Sequence, residues 1–195
     1  MKKPSNSVIV IVVLVILVIF GVGRYNKLVK KDEKVNQSWA QVENVYQRRA
    51  DLIPNLVSTV KGVANFEKST LTQVIEARAK ATSVNVNADK LSPQAVNQFE
   101  AAQGQLTSAL SRLMVVVERY PELKANQNFL ELQAQLEGTE NRIAVERKRF
   151  NDAVMIYNNT IRTFPGNLYA SVFGFDKKGY FAASEGAEEA PKVEF

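Results

Sequence analysis

From Leu28 onward, apolar residues recur every seven positions. Leu28, Val35, Val42, Leu56 and Val63 form one series, with Arg49 at the same spacing, and Trp39, Tyr46, Ile53 and Val60 form a second. Two interleaved series of this period place one stripe on a helix packed along a left-handed seam. A strand would need alternation at two, and none of any length occurs. The pattern returns twice. Val96, Phe99, Gln103, Leu106, Leu110, Leu113, Val117 and Tyr120 mark a second helix. Phe129, Leu136, Ile143, Phe150, Tyr157 and Phe164 mark a third, with Gln133, Glu140, Arg147, Val154 and Ile161 beside them. The expected fold is all-α, an antiparallel up-and-down bundle of three to four long helices.

Punctuation sets the expected boundaries. Pro54 removes a backbone bond and crowds the carbonyl of Ala50, yet the repeat stays in phase across it. This predicts one bent helix from about Arg24 to Thr82, kinked at Pro54 and roughly 90 Å long. Ser83 to Lys90 loses the stripe and reads as a loop. Ser92-Pro93 supplies an N-cap and a first-turn proline. Pro121 closes the second helix, and the third runs from about Glu122 to Thr163. Phe164-Pro165-Gly166-Asn167 is a stop and turn. Leu168 to Phe181 is aromatic-rich and irregular. It is expected to pack back onto the bundle; exposure to a partner or a membrane surface is the alternative. Ala182 to Phe195 is acidic and expected to be mobile.

Ahead of the repeat, Val8 to Val22 holds fifteen residues without a polar side chain, and Pro4 to Gly23 lies uncharged between Lys3 and Arg24. About 20 residues cross a bilayer as helix. An N-terminal transmembrane helix is therefore expected, with the lipid bilayer as partner through Val8 to Val22. A cleaved signal peptide is the rival, but Gly21-Val22-Gly23 is a poor cleavage site. The chain divides into an anchor (1–23), a bundle with an aromatic extension (24–181) and an acidic tail (182–195), with Gly21 and Gly23 as a soft joint. Arg24, Lys27, Lys30, Lys31 and Lys34 follow the run against Lys2 and Lys3 before it, which favours a cytoplasmic bundle in a single-pass protein.

The chain contains neither cysteine nor histidine. That excludes disulfides, thiol nucleophiles, His acid–base chemistry and zinc sites built on those residues. Lys2 and Lys3 carry two of the five net positive charges, so the remainder is only mildly basic and lacks the aromatic-interleaved basic block of a single-strand binder. No nucleic acid, metal or cofactor is expected. Neither a nucleophile elbow nor a phosphate-binding loop occurs, so no catalytic residue is assigned.

The candidate site residues are polar ones inside the seams. Arg49, Glu140 and Arg147 occupy core-facing positions, as do Gln103 and Gln133. Three readings stand: charges snorkelling at the bundle edge, a buried Arg–Glu layer that fixes helix register, or a ligand site. Asp51 is expected to cap a helix restarting around the Pro54 kink.

Several long segments resemble the bacterial LemA family in the right order. They are RRADLIPNLV (48–57), YPELKAN (120–126), LEGTENRIA (136–144) and FNDAV (150–154), with Phe164-Pro165, Phe173-Gly174-Phe175 and the closing Val193-Glu194-Phe195. The resemblance implies a membrane-anchored helical bundle of uncertain function without established enzymatic activity. A distant branch takes part in building magnetic organelles. Family members often carry Tyr and His where this chain has Val63 and Phe66, so a role for that histidine does not transfer. Some members carry a lipobox cysteine just before the residues matching Tyr25-Asn26, which places their domain outside the cytoplasm. This chain lacks it. The expected function is protein–protein interaction or scaffolding at the bacterial membrane, through a protein partner or self-association. A membrane-linked signalling accessory is the alternative.

Overall fold

In the computed structural model, which describes residues 6–62 and 66–182, the first seam becomes one helix of unusual length. α1, Asn6–Lys61, has 56 residues and is about 84 Å long at 1.5 Å per residue. Leu28, Val35, Trp39, Val42, Tyr46, Ile53, Leu56 and Val60 are buried along it. α2 (Lys68–Ser83), α3 (Pro93–Val117), the short α4 (Pro121–Lys124), α5 (Gln127–Arg162) and α6 (Gly166–Phe173) follow, with a 3-10 turn at Ala88–Lys90. No strand occurs among the described residues.

Side-chain contacts fix the directions. α5 lies antiparallel along α1 in the most extensive helix pairing among the described residues. Phe150 meets Trp39, and Glu140 meets Arg49 farther from the N-terminus. α2 doubles back beside α1, since Arg78 reaches Ala50, and packs chiefly on α3. α3 returns parallel to α1, with Phe99 on Trp39 and Tyr46. The upper half is thus a four-helix bundle. In the lower half, nearer the N-terminus, the extended segment 174–182 fills the side that α2 is too short to reach. Phe181 stacks there on Trp39 and touches Phe99 and Phe150.

The expected single helix through residue 82 is corrected: the chain breaks after Lys61, not at Pro54, which lies inside α1. A straight continuation would carry Leu71 and Val74 past the end of α3. The return from α1 to α2 buries Phe66 against Tyr120, ring centroids 4.8 Å apart. It also buries Leu71, Val74 and Ala81 in the core shared with α3. Val63 of the seam series lies outside the described residues.

Pro54 has no N–H to return to the Ala50 carbonyl. The guanidinium of Arg78 donates to that carbonyl instead, Nε to O 2.7 Å. α2 therefore replaces, from outside, the bond that the proline removes from α1. Asp51 caps nothing, because no helix restarts there. It is exposed and accepts a hydrogen bond from Gln47 one turn earlier, 2.8 Å.

Three further expectations are corrected. The third helix does not start at Glu122: α4 ends at Lys124, and Asn126 caps a new helix by accepting from the Phe129 N–H at 3.1 Å. Phe164 is not a seam residue, because α5 stops at Arg162 and leaves Phe164 80 % exposed. The stretch expected to be irregular begins with a helix, α6. α6 can start where it does only with glycine at 166, since a Cβ there would fall 2.0 Å from the Thr160 carbonyl oxygen. Ser92 does cap α3, accepting from the Ala95 N–H at 3.2 Å.

α1 includes the apolar run 8–22 and passes Gly21 and Gly23 without a break. No helix is long and apolar enough, among the described residues, to cross a membrane. The side chains of 8–10, 13 and 17 within the run lie outside that set. The large apolar residues that are described there, from Ile11 to Phe20 and at Val22, are exposed. The acidic tail from 183 onward lies outside the described residues.

Arg78→Ala should cost about 1–2 kcal/mol, the cost of orphaning a buried carbonyl. In a Pro54→Ala background it should cost much less, because the new N–H at position 54 takes over Ala50. Urea unfolding of the four proteins measures this coupling; equal costs in both backgrounds would contradict it.

Candidate functional site: a buried arginine layer and an extended strap

The buried apolar residues divide into two clusters. One takes Leu28 to Tyr46 from α1, the other Ile53 to Val60. Arg49 lies between them on α1 and is 1 % exposed. Its Nη1 donates to Glu140 Oε1 of α5 at 2.5 Å and to Thr107 Oγ1 of α3 at 2.8 Å. Its Nη2 donates to Gln103 Oε1 at 2.7 Å and to the Gln103 carbonyl at 3.3 Å. Gln103 passes the network on by donating Nε2 to the Ala81 carbonyl of α2, 3.3 Å. One guanidinium-centred layer therefore touches all four helices. Nε alone has no hydrogen-bond partner, and the group lies 5.0 Å from the centre of the Tyr46 ring. Burial pushes the Tyr46 phenol above its ordinary value, with Arg147 and Arg49 opposing.

Arg147 does not join this layer. It sits two turns farther along α5 and pairs with Glu100 of α3. Its Nη2 also donates to the Ala182 carbonyl at 2.9 Å, while Glu100 Oε2 accepts from the Ala182 N–H at 3.1 Å. The physical reason is reach: Glu140 already faces Arg49, and Glu100 stands beside the strap. Gln133, the other polar seam residue, is half-buried and donates to Glu137 on its own helix.

The sequence reading missed the residues that hold the extended segment 174–182, here called the strap. Asn158 donates Nδ2 to the Lys178 carbonyl at 2.8 Å and accepts from the Lys178 N–H at 3.0 Å. Asn151 treats Phe181 in the same way, both bonds at 3.0 Å. Seven helical residues rise about 10.5 Å, and three extended residues span about 10 Å. Two asparagines seven apart on α5 thus match two strap residues three apart, and each side-chain amide acts as a strand neighbour would. A seven-residue spacing of Asn151 and Asn158 beside the seam residues Phe150 and Tyr157 was the available signal.

Lys178 anchors the middle of the strap from inside. Its Nζ reaches Asp32 Oδ1 at 2.7 Å and Asn36 Oδ1 at 2.9 Å on α1, and lies 5.5 Å from the Tyr157 ring centre. Tyr157 donates its hydroxyl to the Asp176 carbonyl, 2.9 Å. Burial first, then the Asp32 and Asp176 carboxylates, push that phenol well up, so it stays a donor. At Gly179 the strap crosses the start of α3, where a Cβ would lie 2.6 Å from Pro93 Cα. Chemically, the arrangement recognises extended backbone and one buried aromatic ring. No group of three or more Asp or Glu side chains able to hold a metal gathers among the described residues.

Residues 38–195, which include the layer and the strap, match the family model for LemA. This chain belongs to the LemA family. The similar curated proteins are bacterial. Protein LemA of Metamycoplasma hominis is 26 % identical over 164 residues, covering 84 % of this chain and 71 % of that protein. Magnetosome protein MamQ 2 of Paramagnetospirillum magneticum is 29 % identical over 203 aligned residues, 92 % of this chain and 73 % of its own length. Magnetosome protein MamQ of Magnetospirillum gryphiswaldense is 28 % identical, over 81 % of this chain and 64 % of its own. LemA membership fits a membrane-associated protein of unclear function. None of the names states a reaction.

Glu140→Leu leaves Arg49 buried with neutral acceptors only. Because Glu140 is itself well exposed on its outer side, 43 %, the loss should be about 2 kcal/mol, below the 3–5 of a fully buried pair. Adding Arg49→Met should recover most of it. Thermal unfolding of the full chain reads both, and an unchanged midpoint for Glu140→Leu would contradict the layer's charge balance.

Asn158→Leu removes both bonds to Lys178 and should raise amide hydrogen exchange of 176–182 at least tenfold. Exchange on α2, remote from the strap, should stay as it was. A strap exchanging at the wild-type rate would show that packing alone holds it.

Proposed function

We propose that this protein is a single-pass, membrane-anchored bundle that presents a binding surface to a protein partner or a second copy at the bacterial membrane, and does not catalyse a reaction. The observation that supports this reading is the continuity of α1. One helix carries both the apolar run and the central seam of the bundle. The run's described side chains are exposed along its length. An apolar helix whose large side chains stand exposed finds its partner in lipid. With twenty uncharged residues between Lys3 and Arg24, the length suits a span. The bundle is then held at a fixed orientation by the anchor itself, which suits a scaffold. Relatives named for a cellular structure, the magnetosome, support assembly over catalysis. In this reading the flanking charges put the bundle on the cytoplasmic side.

Crosslinking in native membranes, followed by mild detergent extraction, tests the proposal. A scaffold yields a reproducible crosslinked oligomer or a stoichiometric partner. A protein that stays monomeric and partner-free under both conditions would overturn it.

A further inference from the structure

α6 lies where the apolar run of α1 ends. Tyr169 of α6 approaches the Gly21 position to 3.9 Å. Phe173 packs its ring against Tyr25, centroids 4.9 Å apart, and stacks with Tyr169. Ala170 is buried beneath the helix. On the outside, Leu168 and Val172 are four residues apart and share one face. They are 57 % and 76 % exposed, and Phe164 is exposed just before the helix. Burying only one small residue of eight is poor use of an apolar helix in water.

Beside α6 is a cleft of about 270 Å³ lined by Arg24, Lys27 and Lys31 of α1 and by Asn159, Thr160 and Thr163 at the end of α5. Its cations follow the apolar run directly, and no carboxylate lines it. Arg24 additionally lies 5.8 Å from the Phe20 ring centre, at the last turn of the run. An apolar helix face, two tyrosines and a cationic cleft therefore meet along one stretch of α1, from Gly21 to Lys31.

We propose that this end of the bundle is a docking face for an anionic lipid surface. α6 lies in the plane of the interface with Leu168 and Val172 inserted among the acyl chains, and the Arg24–Lys27–Lys31 cleft receives a lipid phosphate. Three features support a bilayer as occupant. The apolar face belongs to a helix that meets the apolar run of α1 at its end, Tyr169 against Gly21. The rim is positive, as anionic headgroups require. Tyrosines stand between the two, at the level where amphipathic rings favour the membrane interface. An interfacial helix buries its apolar face by about 5–10 Å. The docking rests on the anchor reading given above. It adds a second point of attachment, which would stop the bundle from swinging about the anchor.

Spin labels test this in the full chain reconstituted into phosphatidylcholine vesicles with and without phosphatidylglycerol. Labels go on Val15→Cys, Leu168→Cys, Val172→Cys and, as a water-facing control, Ile156→Cys. In anionic vesicles the labels at 168 and 172 should show an oxygen-to-nickel accessibility ratio severalfold above the control. In neutral vesicles, or with Lys27→Gln and Lys31→Gln together, that ratio should fall toward the control. A label at 15 that is buried while 168 and 172 match the control overturns the docking and leaves the anchor standing. A wet label at 15 overturns the anchor reading. Equal immersion of 168 and 172 in both vesicle types overturns the phosphate assignment.

Discussion

α1 has to remain helical past a residue that cannot donate its backbone hydrogen bond. Pro54 leaves the Ala50 carbonyl bare, and Ala50 is buried, so water cannot make good the loss cheaply. Arg78 makes it good from α2. The return of the chain after Lys61 is thereby tied to the integrity of the helix it leaves. Were α1 to break at Pro54, Leu56, Val57 and Val60 would leave the phase of Trp39, Tyr46 and Ile53, and the upper core would lose one wall.

One residue before Ala50, Arg49 joins the helices at one level. Apolar contacts along a seven-residue seam are nearly equivalent at every heptad, so they resist a one-heptad slip of α5 only weakly. A buried guanidinium that finds Glu140, Thr107 and Gln103 at one level does not slide. With α5 fixed against α1, Asn151 and Asn158 stand at the heights where the strap offers Phe181 and Lys178. α6 is delivered to Gly21 and Tyr25. The lower half, which has only three helices, is then completed by the strap, whose Phe181 supplies the ring that closes the Trp39 cluster.

The sequence carried the helices where periodicity alone decides them. The seams of α1, α3 and α5 were legible, as was Ser92 before Pro93; for Arg49 and Glu140 the sequence left edge snorkelling, a buried layer and a ligand site all open. The α1–α2 turn was not. Val60, Leu71 and Val74 keep a helical spacing across it, with gaps of eleven and three, and Gly62 and Asn65 are isolated breakers, so local signals do not reveal that the partner, α3, ends there. Arg147 looked like a member of the Arg49 layer because its true partners, Glu100 and the Ala182 backbone, lie on other elements and off the seam. The asparagine pair was illegible for a related reason: a side chain that hydrogen-bonds distant backbone leaves no pattern near itself. α6 was too short, and too apolar all round, to show a period.

A rod from the apolar run to the top of the bundle fixes distances along α1. The chain has no cysteine, so paired spin labels can be placed without background. Val15→Cys with Gln37→Cys spans the end of the run, and Gln37→Cys with Ser58→Cys spans Pro54. In the reconstituted full chain, pulsed dipolar measurement should give single narrow distributions near about 33 Å and about 32 Å, at 1.5 Å per residue. A broad or divided distribution for the first pair would mean a hinge at Gly21–Gly23. The same result for the second would mean that α1 breaks at Pro54, and either would contradict the single rod.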